Sequence, residues 1–331
     1  MKSVFVIDSI RTPIGKYGGA LSGIRPDDLL AAAIRGLMSR NAKVDPARIE
    51  DVIAGAANQS GEDNRNVARM AALLAGLPVE VAGNTVNRLC ASGLQAVMDA
   101  SRAIACGDGD IMIACGVESM SRAPFVMPKS NAAFERNPQV FDTTMGWRFV
   151  NEKLAHAYYP YTMGETAENV AKRWNISRHA QDEFALFSQE KYFKALEDKK
   201  WNDEIIPVDA RSGKEMIKVE RDEHPRKTTI EQLTALKPAF IKDGTVTAGN
   251  SSGINDGASA MLLANEDVVK KYGLTPMARI AGLAVAGVDP AIMGIGPVPA
   301  AEKALKRAGL RIQDLDLIEL NEAFASQSIC L

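Results

Sequence analysis

Cys90 stands where an apolar, β-like run gives way to helical spacing, in NTVNRLCASGLQAVMDASRAIACG. Leu94, Val97, Met98, Ser101 and Ile104 give the following segment one inner face, and Ser92-Gly93 permits close backbone approach at its first turn. A thiol at a helix start sits near the positive end of the helix dipole, which favours thiolate and so a nucleophile; Arg88 is placed to assist. The same residue also fits as small core filling, the usual fate of a free cysteine. A thiolate nucleophile suits acyl transfer, because a thioester is a good resting point between two acyl acceptors. It needs a base for its proton and donors for the carbonyl oxyanion.

Two further stretches carry ligand-type chemistry. TVTAGNSSGINDGASAMLLA sets Gly249, Gly253 and Gly257 among Asn250, Ser251, Ser252, Asn255 and Asp256, just before an apolar run. Such a loop lets backbone approach a ligand; a plain turn explains it equally well. DLDLIELNEAFAS places Asn321 and Glu322 directly after what reads as a buried strand, where ligand groups gather in α/β sheets. Helix capping by Asn321 is the alternative.

The elements that must position these residues follow an α/β rhythm. Strands are expected at Val4–Asp8, Asp51–Ala57, Val81–Val86 and Asp110–Gly116. Helices are expected at Leu29–Met38, capped by Asp27 or Asp28, and at Asn66–Leu74 and Ala91–Ala105. From Ser119 to about Thr245 the rhythm breaks. Prolines punctuate a Met- and aromatic-rich segment, one helix reads at Arg178–Leu196, and Lys199 to Glu231 is strongly charged. This is the pattern of an inserted lid or substrate-binding region, or of a surface excursion without function. Strands resume at Ala258–Ala264 and Ala278–Ala286. The early GLMSRNAKVDPARIEDVIAGAANQS and the late ALKRAGLRIQDLDLIELNEAFASQS share their register of helix end, loop, isoleucine, acidic turn and strand, which suggests a duplicated half.

A net charge of −2, with 24% charged residues, argues against a nucleic-acid surface. No apolar run reaches the ~18 residues of a membrane span. The N-terminal MKSVFVIDSIRTPIGK reads as strand rather than leader, so a cytoplasmic protein is expected. Cys90, Cys106, Cys115 and Cys330 form no CxxC pair, which leaves no metal site or disulfide framework to expect; Cys115 reads as core.

Taken together, RTPIG, NRLCASGLQAV, GVESMSRAP, GETAENVA, TAGNSSGINDGA and NEAFA, in this order, resemble the thiolase family along essentially the whole chain. GEDNRNVARMAALLAGLP and FDTTMGWRFVN lean toward degradative members similar to 3-oxoadipyl-CoA thiolase. The resemblance implies an α/β fold, a five-layer αβαβα sandwich of two duplicated halves. Residues 1–265 would form the N-terminal half, with a loop domain inserted at about 119–248, and 270–331 an incomplete C-terminal half.

It implies thiolysis of a 3-oxoacyl-CoA by CoA, giving acetyl-CoA and a shortened acyl-CoA without metal or other cofactor, coenzyme A being a substrate. Cys90 would be the acylated nucleophile. Asn321 would hold a water in an oxyanion hole. Met163, Phe240, Ser252, Ala323 and Phe324 would line the pantetheine and acyl channel, and Arg226 would meet the nucleotide end. Thr162, where acetoacetyl-CoA-specific members often carry His, tilts the substrate away from acetoacetyl-CoA. A homodimer or homotetramer is implied, with acyl-CoA and CoA as the only other partners.

Family members continue past NEAFA with a GHPxGxSG motif, whose His activates the nucleophile, and a CxGGG motif, whose Cys moves the second proton. Neither occurs here, and none of His156, His179 and His224 matches the base. The expectation is of a C-terminally truncated chain with impaired turnover, or of a catalytically inactive relative that binds CoA or pairs with another subunit.

Overall fold

A computed structural model describes residues 2–331, and for Ser212 the backbone alone. The chain forms two compact units. The first comprises Met1–Pro124, Lys199–His224 and Ile254–Ile280; the second comprises Phe125–Asp198, Pro225–Gly253 and Ala281–Leu331.

In the first unit the chain order is β1 (Val4–Arg11), β2 (Gly15–Lys16), α1 (Pro26–Arg40), β3 (Asp51–Gly55), α2 (Val67–Leu74), β4 (Ala82–Val86), α3 (Ser92–Cys106) and β5 (Ile111–Ser119). A hairpin, Val208–Ser212 and Glu215–Val219, and the strands Asn255–Asn265 and Ala278–Arg279 complete it. One seven-stranded sheet runs Ala278–Arg279, β1, Asn255–Asn265, β5, β3, β4, with β2 paired to the start of Asn255–Asn265. β3 is parallel to both β4 and β5, while Asn255–Asn265 is antiparallel to β1 and β5.

The period-2 alternation of the strands explains the layers. Val52, Ala54, Ile113 and Cys115 face α1 and α2, where Leu29, Leu30, Ile34, Leu37, Val67 and Ala71 close the larger core. Ile53, Met112, Ala114 and Leu263 face the opposite way, onto Ala96, Ala100 and Ile104 of α3. β1 serves both faces: its register shifts between Val6 and Asp8, so Val4 and Val6 meet α3 whereas Ile10 meets α1. Cys115 is buried, as expected of a core residue, and burial pushes its thiol far up. Arg11 donates Nη1 and Nη2 to Asp222 (2.7 and 3.1 Å) and its carbonyl accepts Ile206 N–H (2.9 Å), which ties the Lys199–His224 segment to the sheet edge.

α1 differs from expectation at its start. Arg25 is the N-cap and Pro26 opens the helix; Asp27 and Asp28 lie in the first turn, where carboxylates favour the dipole.

Two expected strands do not form. Of Ala278–Ala286 only Ala278 and Arg279 pair, with Val6 and Phe5. In the second unit, Leu283 and Val285 instead offer their carbonyls to Arg307 and Lys303 of the helix Pro297–Ala308 (2.5 and 3.4 Å). The run Leu315–Leu320 is irregular, with Leu317 78% and Ile318 64% exposed, because no described strand pairs with it. The order helix, short 3₁₀ turn, extended segment nevertheless recurs: α1, Pro46–Arg48 and β3 early, then Pro297–Ala308, Ile312–Asp314 and the extended run late.

The second unit is mainly helical. Met163–Arg173 and Arg178–Glu197 are its long helices before Pro225. Thr162 and Glu165 form a reciprocal capping box on the former. Among the described residues, no helix is long and apolar enough to cross a membrane.

Candidate active site

Cys90 lies in the turn between β4 and α3, in the first unit, and is exposed rather than sealed in the core. The turn is tightly braced. Ser92 Oγ accepts Arg88 N–H (2.8 Å) and donates to Leu89 O (2.6 Å), and Asn87 Oδ1 accepts Leu89 N–H (2.8 Å). Leu89 pays for this geometry with φ of +50°, a left-handed conformation unusual for a branched residue. Glycines let α3 seat its first turn directly on the strand ends. A Cβ at Gly55 would overlap the backbone of Ser92 and Gly93, whereas one at Gly116 would make only an ordinary 3.5 Å contact with Gly93 Cα.

The expected depression of the Cys90 thiol does not occur. Desolvation of the sulfur pushes it above the ordinary thiol value; its own backbone N–H opposes this, and the Glu118 carboxylate adds to the rise. The helix begins only at Ser92, and Arg88, expected to assist, donates Nε to Gln95 Oε1 (2.7 Å). Glu118 is itself pushed up by burial, against hydrogen bonds from the N–H groups of Ala57 (2.8 Å) and Asn58 (3.1 Å).

The other seven candidate residues lie in the second unit. There the loop of Asn250–Gly253 runs beside the NEAFA segment: Ser252 N–H donates to Ala323 O (2.9 Å) and Ala325 N–H to Asn250 O (2.9 Å). Asn250 is buried. Its Oδ1 accepts Thr247 N–H (2.8 Å) and its Nδ2 donates to Asp182 Oδ1 (2.9 Å) and Thr245 O (3.1 Å). The Glu168 carboxylate accepts the N–H groups of Thr245 and Val246 (both 2.8 Å to Oε1).

Phe324 packs in a small core with Ala167 and Val246, joined by Ala323, and meets the Phe240 ring edge-on at a centroid distance of 6.1 Å. The Phe240 ring covers Gly164 so closely that no Cβ fits there, next to the half-exposed Met163. Arg226 joins the same loop through Nη2 to Ala248 O (3.3 Å). Asn321 is exposed. It does not cap the next helix, Ala325–Cys330, whose N-cap is Phe324. Glu322 accepts a hydrogen bond from Ser188 Oγ (2.5 Å). Met163, Phe240, Ser252, Ala323, Phe324 and Arg226 thus gather around two paired loops.

Sequence reasoning missed the residues that hold these loops. Glu118 follows Gly116 within the quoted GVESMS, and Glu168 lies within GETAENVA, but a carboxylate aimed at backbone N–H groups has no local signature. Asn87 had only its place just before the turn as a signal.

The chain matches the thiolase N-terminal domain over residues 4–267 and the thiolase C-terminal domain over residues 274–331. It is 56% identical to a beta-ketoadipyl-CoA thiolase of Escherichia coli, an alignment covering 99% of this chain and 82% of that protein. A beta-ketoadipyl-CoA thiolase of Pseudomonas aeruginosa is 55% identical, over 100% of this chain and 83% of the relative. Among solved structures, an acetyl-CoA acetyltransferase of Bacillus anthracis superposes with a TM-score of 0.92 at 40% identity, over 100% of this chain and 82% of its own. Human mitochondrial 3-ketoacyl-CoA thiolase superposes with a TM-score of 0.90 at 40% identity, over 99% and 82%. The chain has a thiolase-like α/β fold and belongs to the thiolase family.

Proposed function

We propose that this chain cleaves a 3-oxoacyl-CoA with CoA, through an acyl thioester on Cys90. The Cys90 sulfur adds to the 3-oxo carbonyl and the C2–C3 bond breaks. The two-carbon CoA fragment leaves as an enolate and takes up a proton, giving acetyl-CoA. CoA sulfur then adds to the acyl-cysteine, releasing shortened acyl-CoA and restoring the thiol.

The observation that carries this reading is an exposed cysteine in a strand-to-helix turn, braced by hydrogen bonds and seated on glycines. The names of the relatives point to a 3-oxoadipyl-type substrate, consistent with Thr162 at the position discussed above. Asn321, exposed beside the paired loops, orients a water toward the substrate oxygen. Met163, Phe240, Ala323 and Phe324 supply apolar surface for pantetheine, Ser252 belongs to the loop it crosses, and Arg226 meets the nucleotide. We read the fold as one complete and one partial copy of a duplicated half, residues 1–265 with a loop domain at about 119–248 and residues 270–331, and the chain as a homo-oligomer in the cytoplasm.

A thiol raised above its ordinary value needs a base. A thiol raised in this way also fits a second reading, a CoA-binding relative without thiolysis.

Incubation with acetyl-CoA followed by peptide mass spectrometry separates them. Acetyl on Cys90, lost in C90S, supports acyl transfer, and CoA binding without label supports the second reading. Acetyl confined to Cys106 or Cys330 would overturn the first.

A further inference from the structure

We infer that Glu118 is a positioning residue for the Cys90 turn, acting through the Ala57–Asn58 backbone and Asn87. This rests on the reading of Cys90 as nucleophile. All the groups lie in the first unit, so the connection can be followed bond by bond.

Glu118 sits near the end of β5, where its carboxylate oxygens accept Ala57 N–H (2.8 Å) and Asn58 N–H (3.1 Å) from the segment just after β3. The carbonyl of Ala57 in turn accepts Asn87 Nδ2 (2.9 Å), and Asn87 Oδ1 accepts Leu89 N–H (2.8 Å). Leu89 is the left-handed residue immediately before Cys90. A backbone held at positive φ persists only where its surroundings over-determine it. Here three bonded steps run from one partly buried carboxylate to that residue.

The placement has an electrostatic cost, since burial destabilises the Glu118 charge and that charge destabilises a thiolate at Cys90. The same charge bears on Asp63, which also feels Asp27 and Glu62. Arg122 pairs with Glu62 (2.6 Å) and Arg25 with Asp27 (2.9 Å). Glu118 meets backbone N–H groups instead. A residue kept only for stability at that position could be apolar; a carboxylate fixed on two consecutive N–H groups defines the path of the segment that supports Asn87.

Alkylation of each cysteine by iodoacetamide across pH, read by mass spectrometry, tests this in the 331-residue polypeptide. Glutamine keeps an acceptor for one N–H and removes the charge. E118Q is expected to shift the Cys90 profile to lower pH and to lower the yield of Cys90 acylation by acetyl-CoA. Labelling of exposed Cys106 stays unchanged and Cys115 stays protected. N87A, which cuts the connection without altering charge, is expected to lower Cys90 acylation while leaving Cys115 protected.

An unchanged Cys90 profile in E118Q, or wild-type acylation in N87A, would overturn the inference, as would effects seen only together with labelling of Cys115. If wild-type Cys90 takes no acetyl group, the acyl-transfer reading fails on its own. The rate of Cys90 alkylation in N87A relative to Cys106, expected to change with the turn and unchanged if the connection does not position it, still decides the role of Glu118.

Discussion

Replacing Gly55 with alanine tests whether α3 really rests on the end of β3. An ideal Cβ at Gly55 overlaps the carbonyl carbon and oxygen of Ser92 and the nitrogen of Gly93. These are backbone atoms of a helix's first turn, so no rotamer change relieves the overlap. Restoring a ~3.5 Å carbon–carbon separation requires the helix start to retreat by on the order of 1 Å. Overpacking costs about 1–3 kcal/mol, and a clash against backbone belongs in the upper half, about 2–3 kcal/mol. At this chain length each kcal/mol moves Tm by about 2 °C, which gives a fall of about 4–6 °C. The same shift moves the Cys90 turn, and a ~1 Å misplacement of a reacting group costs on the order of 10²-fold in rate. Calorimetry together with the rate of Cys90 acylation by acetyl-CoA measures both effects. G23A is the control, because a Cβ there meets nothing within 4 Å. If G55A matches wild type in both Tm and acylation, the seating of α3 on β3 is wrong, and with it the account of how Cys90 is presented.

Asp63 is buried and its carboxyl is pushed up to about 6, chiefly by desolvation, with Glu118, Asp27 and Glu62 adding repulsion. A carboxylate whose folded value is raised makes the folded state bind the extra proton, so stability falls as pH rises from about 4 to about 6 and the loss then persists. D63N is expected to flatten that segment of the stability–pH curve and to be more stable than wild type at pH 8 by about 1–3 kcal/mol, measured by urea melts. E168A removes the acceptor for two backbone N–H groups and should cost about 3 kcal/mol, with proteolysis first appearing near residues 245–253. L317E changes stability by less than about 0.5 kcal/mol in the 331-residue polypeptide, because that side chain is already exposed; a large loss would restore the buried-strand reading.

What could be read from sequence was local. β1, β3, β4, β5 and the three helices between them follow from apolar spacing, and Asn66 caps α2 through its side chain as its type suggests. Non-local pairing was hidden. Nothing in Ala258–Ala264 says that its strand inserts between β1 and β5, or that it extends back to Asn255 by pairing Asn255 and Asp256 with Lys16 and Gly15. The apolar run after Arg279 reads as strand by composition. Yet Gly282 is pressed against the Ala304 carbonyl, where a Cβ would come within 2.6 Å, so the segment follows a helix instead of a sheet edge. DLDLIEL shows the same limit: alternation marks a segment able to be a strand, and a partner decides whether it becomes one.

At the candidate site, the sequence placed Cys90 in a strand-to-helix turn, as the structure does, and misjudged the direction in which its thiol shifts; magnitudes explain why. A helix terminus stabilises a neighbouring charge by about 0.3–1 kcal/mol, less than one pKa unit, and the effect fades within a turn. Desolvation by neighbouring protein acts in the opposite direction, and even on an exposed residue it can outweigh so small an effect. Cys90 precedes the first helical residue by two positions and lies against protein that desolvates its sulfur, with Glu118 adding charge of the wrong sign. Desolvation therefore outweighs the helix terminus, and the thiol is pushed up rather than down. The turn thus exposes the sulfur without lowering its pKa: its geometry comes from Ser92, Asn87 and Gly55, and under the proposed reaction ionisation would have to come from a base. Alkylation of wild-type Cys90 should accordingly reach half-maximal rate above the ordinary thiol range. A midpoint below that range would mean that the helix, and not burial, sets the chemistry of this sulfur.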